Sequence, residues 1–279
     1  MQKSFLRETA GTLMRAVVVV LTIVISVISV NFILESESYI GDGICNVAVF
    51  PIEGVILPYN GLADFDLVTT PESFESFIAS AEEQPGIEAM LIEVNSPGGT
   101  PVASERIAER IRQSELPIIG MIGDQGASGG YMIAAATDHL VASPMSDVGS
   151  IGVNMSYLEE SEKNEEEGLT YVQLTTGKFK DTGTPNRPIT DEERELLMSD
   201  LNIVNDRFID MVSEYRELDR EAVVALADGS TMPGTRALEN KLIDTLGGRE
   251  EVRDVIARKL EIANGDVVFC EYERNLLPF

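Results

Sequence analysis

Histidine is almost missing from this chain: His139 is the only one in 279 residues. A Ser-His-Asp hydrolase therefore has a single residue to turn to. Cysteine is nearly as scarce. Cys45 and Cys270 lie far apart and show neither metal-ligand spacing nor a disulfide framework. Whether they pair is left open by sequence. Basic residues number 21 against 47 acidic ones, a net charge of −26. That excludes nucleic acid as a partner, because a phosphate backbone needs a basic surface. Only six of the basic residues are lysines: Lys3, Lys163, Lys178, Lys180, Lys241 and Lys259. An acidic, lysine-poor surface fits a halophilic protein, whose charge repulsion is screened by salt. Internal repeats, low-complexity tracts and interdomain linkers are also missing.

One long apolar run is present. Residues 16–34, "AVVVVLTIVISVISVNFIL", hold 19 residues without a charge. At about 1.5 Å per residue, a helix of that length crosses a hydrocarbon core. Lys3, Arg7 and Arg15 precede it; Glu35, Glu37 and Asp42 follow. The positive-inside rule then places residues 1–15 in the cytoplasm and the rest of the chain outside the cell membrane, as a single-pass protein. The run is long for a signal peptide and no A-x-A-like site follows it, so it reads as an uncleaved anchor.

Beyond the anchor, strand and helix patterns alternate. Strands are expected at 46–57 (with a break at Gly54), 88–95, 116–124, 139–143 and 149–155. Helices are expected at 71–85, 101–113, after Ser128, at 191–215, and near 219–227 and 234–241, followed by a final helix. "SPGG" (96–99) reads as a turn. Residues 157–169 read as a charged, exposed helix or loop. Thr190 and Glu193 form a capping box for the long helix. This alternation predicts an α/β fold with parallel strands, and a hydrophobic content of 44% is ample for its core. The tail, from about residue 263, carries no clear pattern.

Gly126-Ala127-Ser128-Gly129-Gly130 matches G-x-S-x-G, the nucleophile elbow, at a strand-to-helix turn. The elbow's partner cannot be His139. Eleven residues on and beyond a helix, it should lie at the far end of the sheet from Ser128. A serine can instead be activated by a desolvated lysine. Lys3 lies across the membrane, Lys163 sits among glutamates, and Lys241 and Lys259 lie on polar helical faces. Lys178 and Lys180 remain, in "LTTGKFKDTG", and residue physics does not choose between them. An oxyanion hole could come from "NSPGG" (95–99) and from the N–H of Gly129.

The stretches "VNSPGG", "GDQGASGGYMIAAATDHLVASPMSDVGSIGV" and "TTGKFKD" together resemble the signal peptide peptidase A family, the S49 serine proteases, in its short single-unit form. The resemblance implies a ClpP/crotonase-like spiral of β-β-α units over residues 44–262, behind one transmembrane helix and ahead of a tail at 263–279. It implies that Ser128 is the nucleophile and that Lys180, before Asp181 in "GKFKD", is the general base. It also implies that Ser150 orients that lysine, and that Gly98 or Gly99 joins Gly129 in the oxyanion hole. No cofactor or metal is implied. The implied substrates are cleaved signal peptides or other short unfolded peptides. The implied assembly is a homo-oligomer, with serine and lysine from neighbouring subunits in some members. Met132 and His139 depart from the family's usual residues without touching this chemistry. Two other activities are weighed beside it: a protease specific for a membrane partner such as a stomatin-like protein, and a crotonase-type acyl-CoA enzyme.

Overall fold

A computed structural model describes Met14, residues 17–26, residues 44–59 and residues 67–270. Of the expected anchor, residues 17–26 are helical and exposed; the remainder lies outside the described residues. No helix among the described residues is long and apolar enough to cross a membrane.

The centre of the molecule is a mostly parallel sheet. It is built from β1 (Val47–Ile56), β2 (Val68–Thr69), β3 (Ala89–Gly99), β4 (Ile118–Ala127), β5 (His139–Ala142) and β8 (Thr245–Leu246), in the order β2-β1-β3-β4-β5-β8. β6 (Asp147–Gly149) pairs with β4, β7 (Thr231–Pro233) pairs with β6, and β9 (Phe269–Cys270) pairs with β1. Among the described residues the single antiparallel pairing is β6 with β7. The fold is α/β, as the alternation of strand and helix predicts.

Strand side chains alternate between two faces, and the two cores follow that alternation. Ala48, Phe50 and Ile52 of β1, with Met90, Ile92 and Val94 of β3, face the larger core. Helices α1 (Pro71–Glu83), α2 (Pro101–Arg112), α3 (Gly129–Ala135) and the end of α5 (Asp191–Tyr215) contribute to that core. Val47, Val49, Ala89 and Leu91 face the other way, onto Val252, Val255 and Ile256 of the helix Arg249–Leu260. α1 shows why such a segment becomes a helix. The Thr70 side chain caps it by accepting from Ser73 N–H, Pro71 opens it, and Phe74, Phe77, Ile78 and Ala81 line one stripe.

β4 forks. Ile119–Ile122 pair with β5, while Gln125–Ala127 pair with β6. The fork sets the last residues of β4 between β3 and β6, and the serine follows them.

Two expectations change here. "SPGG" is not a free turn. β3 runs on through it, because Val55 and Ile56 of β1 pair with Gly98 and Gly99. The strand expected at 149–155 stops at Gly149, because Gly149 and Ser150 take positive φ values of 106° and 52°. The sheet also reaches past residue 262. Cys270 of β9 is joined to Cys45 by a disulfide, Cα–Cα 5.4 Å, that spans 225 residues.

From Gly152 to Glu192 no residue is buried. This arm holds the short α4 (Ser161–Glu166) and exposes Leu158, Val172 and Leu174, the last at 92%. It ends at the N-terminus of α5, whose own buried apolar residues begin only at Phe208.

Candidate active site

Ser128 stands between the end of β4 and the start of α3, at the carboxyl end of a parallel sheet, where ligands of open α/β sheets bind. Its backbone sits at φ 50°, ψ −123°, a conformation that costs a non-glycine residue energy. The surroundings hold it there. Ser128 N–H donates to Gly149 O at 2.8 Å, and Ser128 O accepts from Met132 N–H at 2.9 Å. Gly129 and Gly130 are glycines of necessity. A Cβ at Gly129 would stand 2.2 Å from Ser104 Oγ on α2, and one at Gly130 would stand 2.8 Å from Ser96 O on β3. The sequence "GASGG" thus makes both a strained serine and a close helix-to-strand contact.

Gly98 lies directly against this elbow at φ 101°. A Cβ there would fall 2.7 Å from Gly129 N, 2.9 Å from Ser128 Cβ and 3.0 Å from Ala127 O. Only glycine leaves that space beside the serine open. Gly129 opens α3, so its N–H has no intrahelical partner. Gly98 N–H is already engaged by Ser96 Oγ at 3.1 Å, and Ser96 Oγ itself donates to Gly54 O at 2.6 Å. Thr100 N–H turns to Ile56 O at 2.9 Å. Gly99 N faces the elbow instead, 3.3 Å from where a Gly129 Cβ would be.

Ser150 follows Gly149, whose carbonyl holds Ser128, so it adjoins the elbow. Its N–H donates to Ser230 O at 2.9 Å and its hydroxyl to Gly229 O at 3.0 Å. The structure therefore gathers Ser128, Gly129, Gly98, Gly99 and Ser150 at the carboxyl ends of β3, β4 and β6.

Lys180 is not gathered with them. It lies exposed on the arm, in a run of turns where its N–H donates to Gly177 O and Thr182 N–H to Phe179 O. Among the described residues its ammonium has no hydrogen-bond or ion-pair partner. Lys178 differs: it pairs with Glu192 at 2.7 Å and lies over the Phe179 ring.

His139 begins β5 beside Ile119, whereas Ser128 stands two residues beyond Gly126. The β3 partners of Ile119 and Gly126 are Leu91 and Ser96. Five strand positions separate those partners, roughly 16 Å. His139 Nε2 meets Thr245 Oγ1 at 2.8 Å. Burial lowers its pKa, with the nearby Asp244 charge opposing. It belongs to a structural cluster in which Arg216 pairs with Asp244 at 2.6 Å, and it plays no part at the serine.

Sequence reasoning missed one feature of this region. Glu193 is more than a capping-box residue. It is 3% exposed and gathers hydrogen bonds from the arm that carries Lys180.

Comparison with known proteins adds to the geometry. Residues 110–263 match the family described as "Peptidase family S49". A candidate protease of Methanocaldococcus jannaschii is 32% identical over 196 residues, covering 70% of this chain and 63% of that protein. A candidate signal peptide peptidase SppA of Enterococcus faecium is 32% identical over 211 residues, 75% of this chain and 61% of that protein. Protease 4 of Haemophilus influenzae is 27% identical over 208 residues, 74% of this chain and 33% of that protein. The chain thus spans about three-fifths of the length of the first two relatives and a third of the last.

Proposed function

Because the chain belongs to peptidase family S49, a family of serine proteases, we propose that it is a membrane-anchored serine endopeptidase. Its dyad is Ser128 with Lys180, and its substrates are cleaved signal peptides or similar short unfolded peptides. The observation that carries this reading is the strained Ser128 at the end of β4, with the glycine-lined space of Gly98 beside it and the Gly129 N–H facing that space. The mostly parallel sheet is compatible with a ClpP/crotonase-like spiral.

In the proposed reaction, the deprotonated Lys180 amine takes the Ser128 hydroxyl proton as Oγ bonds to the peptide carbonyl carbon. The carbonyl oxygen becomes an oxyanion and accepts hydrogen bonds from Gly129 and Gly99 N–H. Gly98 keeps the space open, since its own N–H already serves Ser96. The C–N bond then breaks and the leaving amine takes the proton from Lys180. Water, deprotonated by the same amine, releases the acyl group from Ser128. Ser150 would orient the lysine by turning its hydroxyl from Gly229 O to the amine.

The exposed Lys180 and the unburied arm, with Leu158, Val172 and Leu174 exposed on it, support a homo-oligomer in which the arm docks on a neighbouring subunit. Docking would supply the apolar surroundings that a basic lysine requires and set Lys180 beside the neighbour's Ser128. The exposed, apolar helix at residues 17–26 supports the anchor. The Cys45–Cys270 disulfide supports a catalytic domain outside the cytoplasm, where such bonds persist.

Peptide-release profiling of the full chain beside Ser128→Ala and Lys180→Ala tests the reading. Both variants should release nothing above background. Unchanged release by Ser128→Ala would overturn the proposed function, and full activity in Lys180→Ala with a dead Lys178→Ala would move the base.

A further inference from the structure

The arm from Gly152 to Glu192 has no buried residue to hold it in shape, yet a catalytic base must be held closely. What fixes it is polar. The Glu193 carboxylate lies buried at the first turn of α5 and accepts from both terminal nitrogens of Arg187, at 2.6 and 2.9 Å. It also accepts from the Thr182 hydroxyl at 3.2 Å, from Thr190 N–H at 2.9 Å and from the Thr190 hydroxyl at 3.1 Å. Arg187 Nε then faces Asp181 Oδ2 at 3.4 Å, and the other Asp181 oxygen accepts from Tyr171 OH at 2.8 Å. Asp181 and Thr182 directly follow Lys180.

Helix capping needs only the Thr190–Glu193 exchange. The bidentate Arg187 and the Thr182 hydroxyl bring the far side of the turn to the same carboxylate. Planar two-point pairing fixes orientation as well as distance. Hydrogen bonds from Arg187 and then from Thr190 N–H hold Glu193 well below the usual carboxylate range, so it stays charged at working pH.

We propose that Glu193, Arg187 and Asp181 form a positioning hub that locks the Lys180 turn onto the rigid N-terminus of α5. The proposal rests on the reading of Lys180 as the base. None of the three touches substrate; they act through the backbone that directly follows the lysine.

The test uses the full chain in detergent with a fluorogenic peptide. Arg187→Ala leaves the helix cap intact and removes the hub. It should lower kcat by about 10- to 100-fold with KM within about twofold at an assay temperature well below the transition, and it should also lower Tm, because Glu193 is left buried without its cation. Arg187→Lys, which keeps one charged contact, should recover part of that loss. Thr190→Ala removes the cap and leaves Arg187 on Glu193, so it should lower Tm while kcat falls no more than about twofold. Should Arg187→Ala fail to fold, Tyr171→Phe removes one hydroxyl from an exposed residue and should still lower kcat by about two- to fivefold. A kcat that tracks Tm across all these variants would make the cluster merely structural and overturn the hub. Full kcat in Arg187→Ala beside a dead Lys180→Ala would overturn the hub while leaving the base in place. An active Lys180→Ala would overturn the base reading, and the hub with it.

Discussion

The two halves of the proposed dyad live in opposite kinds of structure. Ser128 is held by the sheet: its strained backbone is pinned by Gly149 and Met132, and its glycine neighbours touch Ser96 and Ser104. Lys180 rides on an arm with no buried residue, held by one carboxylate and its partners. A packed interior enforces geometry through sterics. An arm without a core must rely on hydrogen bonds and on whatever covers its exposed Leu158, Val172 and Leu174. The serine side is therefore held within one chain, and in the proposed reading the lysine side is completed by a second surface.

The contrast can be broken at either end. The largest effect should come from Ser128→Ala and from Lys180→Ala, each lowering kcat by about a thousandfold or more, measured by peptide release. Gly98→Ala comes next. It puts a side chain at φ 101° and 2.7 Å from Gly129 N, and should cost about a hundredfold in kcat with folding kept, checked by circular dichroism. Reducing the Cys45–Cys270 disulfide acts on the sheet alone. It should remove about 2–4 kcal/mol of stability, read as a lower denaturant midpoint, without selectively slowing catalysis. Acid should loosen both regions. Arg187 and Thr190 N–H hold the Glu193 pKa down. At Asp244 burial pushes upward, but Arg216 overcomes it and the pKa is lowered. A carboxylate with a lowered folded pKa contributes stability above its unfolded value, about 4, and that contribution is lost as pH falls. Stability should therefore hold near neutrality and decline below about pH 4, more shallowly in Glu193→Gln, by denaturant titration. The smallest effect should be that of Lys178→Ala. It removes the pair with Glu192 and should change kcat by no more than about twofold.

Local signals carried much of this into view. The long helix begins and ends where its cap and apolar pattern predict, Asp191–Tyr215, because both signals lie within a few residues. Ser128 stood out because glycines crowd any tight strand-to-helix turn, and His139 was set aside on topology that the β5 pairing bears out. The misses share a cause. Pro97-Gly98-Gly99 reads as a turn until β1 is seen to pair with it, and the 149–155 pattern reads as a strand until Ser150 turns to positive φ. Cys45 and Cys270 meet only because β9 closes on β1. Glu193 announced its cap, three residues away, but not Arg187 or Thr182, which reach it through the folded turn. Pairings decided by tertiary contact leave no periodic trace in sequence.

The most direct test of the arrangement mixes two dead proteins. Ser128→Ala and Lys180→Ala chains, dissociated together and reassembled in detergent, are assayed for peptide release. If the arm delivers Lys180 to a neighbour's Ser128, random mixing should restore about a quarter of wild-type activity, since a site needs an intact residue from each chain. If the mixture stays as inactive as either variant while co-assembly is verified, the lysine does not act across subunits, and the account of the arm is contradicted.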